Sequence, residues 1–231
     1  MSLRTLLPRD WRRRRLARSV PEGPLRQFFA VPFPPARASW RSVEYLALDL
    51  ETTGTDPRTE EIVSFGWVEL HGASIELCTA RRRLVRTSTA MPESSAVIHA
   101  ITDDEAERGE PPCAVLAELL QALAGRVLVC HYAPTERRFL DAACRRCFGS
   151  GLVVPTVDTL QLAQRRHLRQ GKVPARGELR LSALRERYNL PQHPLHDALA
   201  DAIAAAELFL AQAEEMSGPS PVRLKDLLTS D

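Results

Sequence analysis

Val43-Glu44-Tyr45-Leu46-Ala47-Leu48-Asp49-Leu50-Glu51-Thr52-Thr53-Gly54 is the stretch that sets the architecture. Val43–Leu50 is apolar and alternating, which predicts a strand. Residues i and i+2 of a strand face the same side. Asp49 and Glu51 therefore stand side by side at the strand's end, where α/β sheets build their sites. Adjacent carboxylates repel each other, and burial sharpens the repulsion. A divalent cation relieves it, and hard oxygen ligands select Mg²⁺ or Mn²⁺ over softer metals. Thr52, Thr53 and Gly54 add two hydroxyls and a flexible turn directly after the pair. Alone, an Asp-x-Glu is a common pattern of solvated charge. Its weight here comes from Glu136, His196 and Asp201, each at the start of a later helix, where the edge loops of a sheet converge.

Outward from this strand, Glu61–Leu70 and Ser74–Val85 read as two more strands, joined by a hairpin turn at His71-Gly72-Ala73. Ser94–Ile101 reads as a short helix. Cys113–Ala124 is an amphipathic helix stopped by Gly125. Arg126–Cys130 is a short strand, and Pro134–Phe148 a helix opened by proline. Leu152–Val157 is a further strand. Asp158 then caps a helix through His167, and Leu181–Tyr188 and Leu195–Met216 are helices. The order is β-β-β-α-β-α-β-α-α. A hairpin unit followed by parallel βα units implies an α/β fold with a mixed five-stranded sheet and helices on both faces.

Charge divides the chain. Residues 1–41 hold ten arginines against Asp10 and Glu22, a net charge of +8, so the remainder carries −6 in a chain of net +2. The expected organisation is a basic Arg/Pro-rich arm over 1–41, a catalytic domain over 42–217 and a loose tail over 218–231. The arm is expected to hold one short helix around Arg12–Ser19 and then an extended stretch, because its prolines cannot join a ladder. A basic arm suits a polyanion or an acidic surface. No apolar run approaches the roughly 18 residues that span a bilayer. No apolar h-region follows Arg12–Arg15. Five cysteines, an odd number, do not form a disulfide scaffold, and Cys144-x-x-Cys147 lacks a second pair at zinc spacing. The cysteines are expected as structural thiols, which points to the cytoplasm.

At the level of motifs, the chain resembles the DEDDh superfamily of 3′→5′ exonucleases, which includes the proofreading epsilon subunits of bacterial DNA polymerase III, ribonuclease T and oligoribonuclease. Asp49-Leu50-Glu51-Thr52-Thr53-Gly54 is similar to its first motif. Ile98-His99-Ala100-Ile101-Thr102 resembles the substrate-contacting segment, usually written with Gly where Ala100 stands. His131–Leu140 resembles the second motif, and Leu195-His196-Asp197-Ala198-Leu199-Ala200-Asp201-Ala202 the third. The resemblance covers about residues 43–212. Asp197 stands where the tyrosine branch of the superfamily would need Tyr, whereas His196 fits the histidine branch. In the second motif, Tyr132, Thr135 and Glu136 stand where the family usually has Asn, Phe and Asp.

The resemblance implies a ribonuclease H-like fold and a two-metal phosphodiester hydrolysis, with two divalent ions about 4 Å apart. It implies that Asp49, Glu51, Glu136 and Asp201 are metal ligands and that His196 takes a proton from water. It implies that Thr52, Thr53, Ile98 and His99 contact the terminal nucleotide. His131 is read as structural. The expected substrate is the 3′ end of DNA, preferably single-stranded. An RNA-directed exoribonuclease and a catalytically weakened nucleic-acid-binding or scaffold protein are the alternatives. A stand-alone nuclease is favoured over one held by a polymerase, because the tail carries no Gln-plus-apolar clamp peptide.

Overall fold

The computed structural model of the protein describes residues 9–87, 108–193, 197–218 and 222–229. The helix expected over Ser94–Ile101 lies outside the described residues. Strands β1 (Glu44–Thr52), β2 (Ile62–His71), β3 (Ser74–Leu84), β4 (Val127–Cys130) and β5 (Thr156–Asp158) form one sheet in the order β3-β2-β1-β4-β5. β1 pairs antiparallel with β2 and parallel with β4. β4 pairs parallel with β5. The expected mixed five-stranded α/β fold is present.

Alternation along β1 sorts its side chains. Leu46, Leu48 and Leu50 enter one core, with Phe65 and Trp67 of β2. That core is completed by helices α1 (Arg9–Ser19), α2 (Pro24–Ala30), α3 (Pro112–Leu123) and α4 (Pro134–Phe148). Tyr45 and Ala47 enter the other, with Val68, Val129 and Val157. Helices α5 (Thr159–Arg169) and α7 (Ala198–Met216) lie on that side, with α6 (Leu181–Arg187) packed beside α7. Asp49 and Glu51 share the parity of Tyr45 and Ala47, so they lie on the α7 side of the sheet.

Three local expectations fail. Residues 9–41 form two helices, and Leu25, Phe28 and Phe29 are buried in the core. Their i, i+3, i+4 spacing is a helix stripe that the surrounding prolines and arginines obscure. Within the tail, the described residues 222–229 are packed, not loose: α8 (Leu224–Leu227) buries Leu224 and Leu227, again three apart, and Ser39 bridges to Arg223. Cys113 and Cys147 form a disulfide that joins the start of α3 to the end of α4. Cys78, Cys130 and Cys144 are free, but the Cys113–Cys147 bond removes the argument from reduced thiols to a cytoplasmic location. A smaller difference is that the strand expected over Leu152–Val157 forms only at Thr156–Asp158, as β5, since Pro155 has no N–H to give a ladder. No helix among the described residues is long and apolar enough to cross a membrane.

Candidate active site

The site gathers at the end of β1. Asp49, Glu51 and Asp201 each present a carboxylate oxygen, and these oxygens lie within 4.8 Å of one another. Glu51 is 6% exposed. The backbone of β2 explains how Asp201 arrives there. Gly66 pairs directly with Asp49, and a Cβ on it would meet the Ala198 carbonyl carbon at 2.0 Å. Only glycine lets the first turn of α7 lie on the sheet beside Asp49. Asp197 caps that turn by accepting from the amides of Leu199 and Ala200, and it pairs with Arg82 at 3.0 Å.

Glu136 comes from the first turn of α4 and is 4% exposed. The loop before it is held by Asp158, which accepts from the backbone N–H groups of Tyr132 and Ala133 while capping α5. Tyr132 takes a left-handed φ of 73°, a conformation that a bulky residue adopts only at a cost. Glu136 Oε2 has no hydrogen-bond partner among the described residues. Burial is the main cause that pushes Glu136 up to about 8, with the Asp158 charge adding to it. Burial first, then the charges of Glu136, Glu51 and Asp201, raise Asp49 well above the usual carboxylate range. A crowded, desolvated acidic group with an orphaned oxygen fits a bound divalent cation, which offsets the repulsion and supplies the missing partner.

His131 sits between Thr159 Oγ1 at 2.8 Å and the Leu179 carbonyl oxygen at 3.1 Å. It thereby ties the 172–180 loop to α5, and burial holds its pKa below the ordinary value. Beside it opens a cavity of about 750 Å³ whose wall includes Asp49, Asp201, Leu160, Leu179 and Arg180. Thr52 Oγ1 donates to the Gly54 carbonyl oxygen. Thr53 Oγ1 donates to Glu60 and accepts from the Glu61 amide. Both hydroxyls thus shape the turn after β1.

The structure brings together Asp49, Glu51 and Asp201, with Glu136 buried nearby. His196, Ile98 and His99 lie outside the described residues. Sequence reasoning missed Gly66, whose signal was a glycine inside a strand pattern. It also read Asp158 only as a helix cap and not as the anchor of the Glu136 loop.

The exonuclease family model matches residues 46–209. The DNA polymerase III epsilon subunit of Treponema pallidum is 31% identical over 72% of this chain and 75% of that protein. The PolC-type DNA polymerase III of Thermotoga petrophila is 28% identical over 82% of this chain, which spans only 13% of that polymerase. Among solved structures, the nuclease domain of 3′hExo, a DEDDh family member bound to rAMP, superposes with a TM-score of 0.64 at 18% identity, covering 77% of this chain and 95% of that one. Escherichia coli Exonuclease I in complex with an oligonucleotide gives a TM-score of 0.63 at 17% identity, over 80% of this chain and 42% of that one. These likenesses agree with the sheet order and the acidic cluster: the chain belongs to the exonuclease family and resembles the epsilon subunit.

Proposed function

We propose that the protein removes nucleoside monophosphates from the 3′ end of DNA, preferably single-stranded, by hydrolysis with two divalent ions, Mg²⁺ or Mn²⁺. The observation that carries this reading is the trio Asp49, Glu51 and Asp201, with oxygens within 4.8 Å. Asp49, Glu51 and Asp201 would hold one ion, and Asp49 with Glu136 the other. When bound, the ions supply a more acidic water and offset the charge that develops on the phosphate. His196 is the residue proposed to accept the water's proton, a role that an imidazole side chain commonly fills. Thr52, Thr53, Ile98 and His99 are the proposed contacts of the terminal nucleotide. An apolar contact from Ile98 suits any base, which supports cleavage without sequence preference. The cavity beside Asp49 and Asp201 offers the room such a substrate needs.

The test uses matched single strands of DNA and RNA, labelled at the 5′ end, with Mg²⁺ or Mn²⁺. A descending ladder from the 3′ end is expected on DNA. Asp49→Ala should lower the rate by about 10³-fold, since it removes charge stabilisation from the reacting centre. His196→Ala should abolish most of the activity while leaving metal binding in place. A wild-type protein that leaves every strand intact with both metals sinks the reading. Shortening of RNA alone would replace the DNA substrate with RNA.

A further inference from the structure

The outer face of α4 carries a feature that the acidic site does not use. Pro134, Arg137, Arg138, Asp141 and Arg145 follow one another at helical spacing on the face opposite Phe139, Leu140 and Ala143, which enter the core. Helix α1 lies across from this face. Between the two runs a cleft whose first section, about 360 Å³, is walled by Arg12, Arg137 and Arg138. Its second section, about 370 Å³, is walled by Arg12, Arg15 and Arg145. Arg12, Asp141 and Leu152 belong to both sections, so the two sections adjoin.

Five guanidinium groups face one carboxylate in this cleft. That carboxylate is already engaged, since Asp141 accepts from Arg145 at 2.8 Å and from the Leu152 amide at 2.9 Å. Arg13 is buried and donates to Asp10 and to the Phe29 carbonyl oxygen. Trp11 stands at the α1 end, 46% exposed, with the Arg15 guanidinium 5.7 Å from its ring centroid. The first turn of α4 therefore sends Glu136 inward to the acidic site and Arg137 and Arg138 outward to the cleft. Pro134 to Arg145 span about 16 Å of helix.

We propose that this cleft is a second nucleic-acid subsite, which holds the phosphate backbone of a single strand upstream of the nucleotide being removed. Concentrated positive charge along a groove matches a polyanion, and the exposed Trp11 ring gives a base something to stack on. One wall of the cleft comes from α1, which lies outside the 46–209 region shared with the exonuclease family. The chain's own N-terminal segment thus adds a grip on longer strands. This inference rests on the nuclease reading for the position of the strand's 3′ end, but the binding itself does not need cleavage.

The experiment measures binding of a labelled strand roughly 12 nucleotides long, within the usual site size, and of a trinucleotide, both in EDTA so that no cleavage occurs. The variant is Arg12→Ala/Arg15→Ala/Arg138→Ala/Arg145→Ala in the full chain, with Arg13 untouched and folding checked by circular dichroism. The long strand should bind at least tenfold more weakly, and the trinucleotide as before. The dependence of log affinity on log salt should become shallower by about 0.7 for each phosphate that is no longer neutralised. Replacement of the same four residues by Lys should keep the wild-type salt slope, because the charge is kept. Trp11→Ala should weaken the long strand about fivefold, the size of one stacked base. Equal affinity of wild type and the Ala variant for the long strand overturns the proposal, as does selective loss of binding to anionic lipid vesicles instead of the strand. A wild type that cleaves nothing, yet binds the long strand through these arginines, sinks the exonuclease reading and leaves the subsite standing.

Discussion

Helix α4 has two charged faces that obey opposite rules. Inward, Glu136 is 4% exposed, and its oxygen Oε2 lacks a partner among the described residues. Outward, Arg138 and Arg145 are solvent-exposed, and Arg145 pairs with Asp141. A buried carboxylate has lost its water and depends on what replaces it. An exposed guanidinium keeps its water, so it costs the fold little and contributes little to stability. The inner face therefore concentrates its effect in single residues, while the outer face spreads it over many. Substitutions on the two sides should differ in size and also in what they change.

The largest effect is expected on the inner face. Glu136→Gln keeps the shape and removes the charge. Cleavage should fall by about 10–100-fold, the range for lost support at a metal site. Stability of the metal-free protein should move the other way. Burial raises the folded pKa of Glu136 from 4.5 to about 8, so the folded state binds the proton more tightly than the unfolded chain. Stability is then fully present below pH 4.5 and is lost as pH rises through about 8. In EDTA, the wild-type Tm should decline between these values. The variant should lie above wild type at about pH 7 and keep only the part of the slope owed to Asp49, which is shifted in the same direction. Parallel pH profiles for the two proteins would break the contrast between the faces.

A smaller effect is expected where α4 ends. The Cys113–Cys147 bond closes a loop of sequence separation 34. Cys113→Ser should destabilise the protein to urea by about 2–4 kcal/mol, mainly by freeing the unfolded chain. The bond lies at the opposite end of α4 from Glu136, so kcat should not change. Loss of kcat at full folding would show that the far end of α4 positions Glu136.

The sequence made the sheet and most of the acidic trio legible because these depend on local patterns. Alternation along Val43–Leu50 gave β1, and the Asp-x-Glu spacing gave the shared face of Asp49 and Glu51. Pro134 and Phe148 were the expected limits of α4 and are its observed limits. What was missed depends on distant partners. The burial of Leu25, Phe28 and Phe29 was hidden because a helix stripe of three residues is weak until a core receives it. The disulfide was hidden because spacing cannot say that residues 113 and 147 meet across two helices. The importance of Gly66 was hidden because the backbone it must accommodate lies more than a hundred residues later, at Ala198.

The smallest effect belongs to a single arginine of the outer face. Arg138 is exposed, and it is near enough to Asp56 to help Arg58 hold that carboxyl down at about 2. Arg138→Ala removes one positive charge from the cleft without opening a cavity. On a strand that fills the cleft, KM at low salt should rise only a few-fold, consistent with one charge at a solvated surface. The change should shrink as salt is added, because the Debye length falls from about 10 Å at 0.1 M to about 3 Å at 1 M. kcat should stay constant, since no reacting atom is touched. Glu136→Gln gives the opposite pattern, a large loss in kcat that salt does not repair. If Arg138→Ala lowers kcat at every salt concentration, the outer face takes part in chemistry, and the division of α4 into a reacting side and a holding side fails.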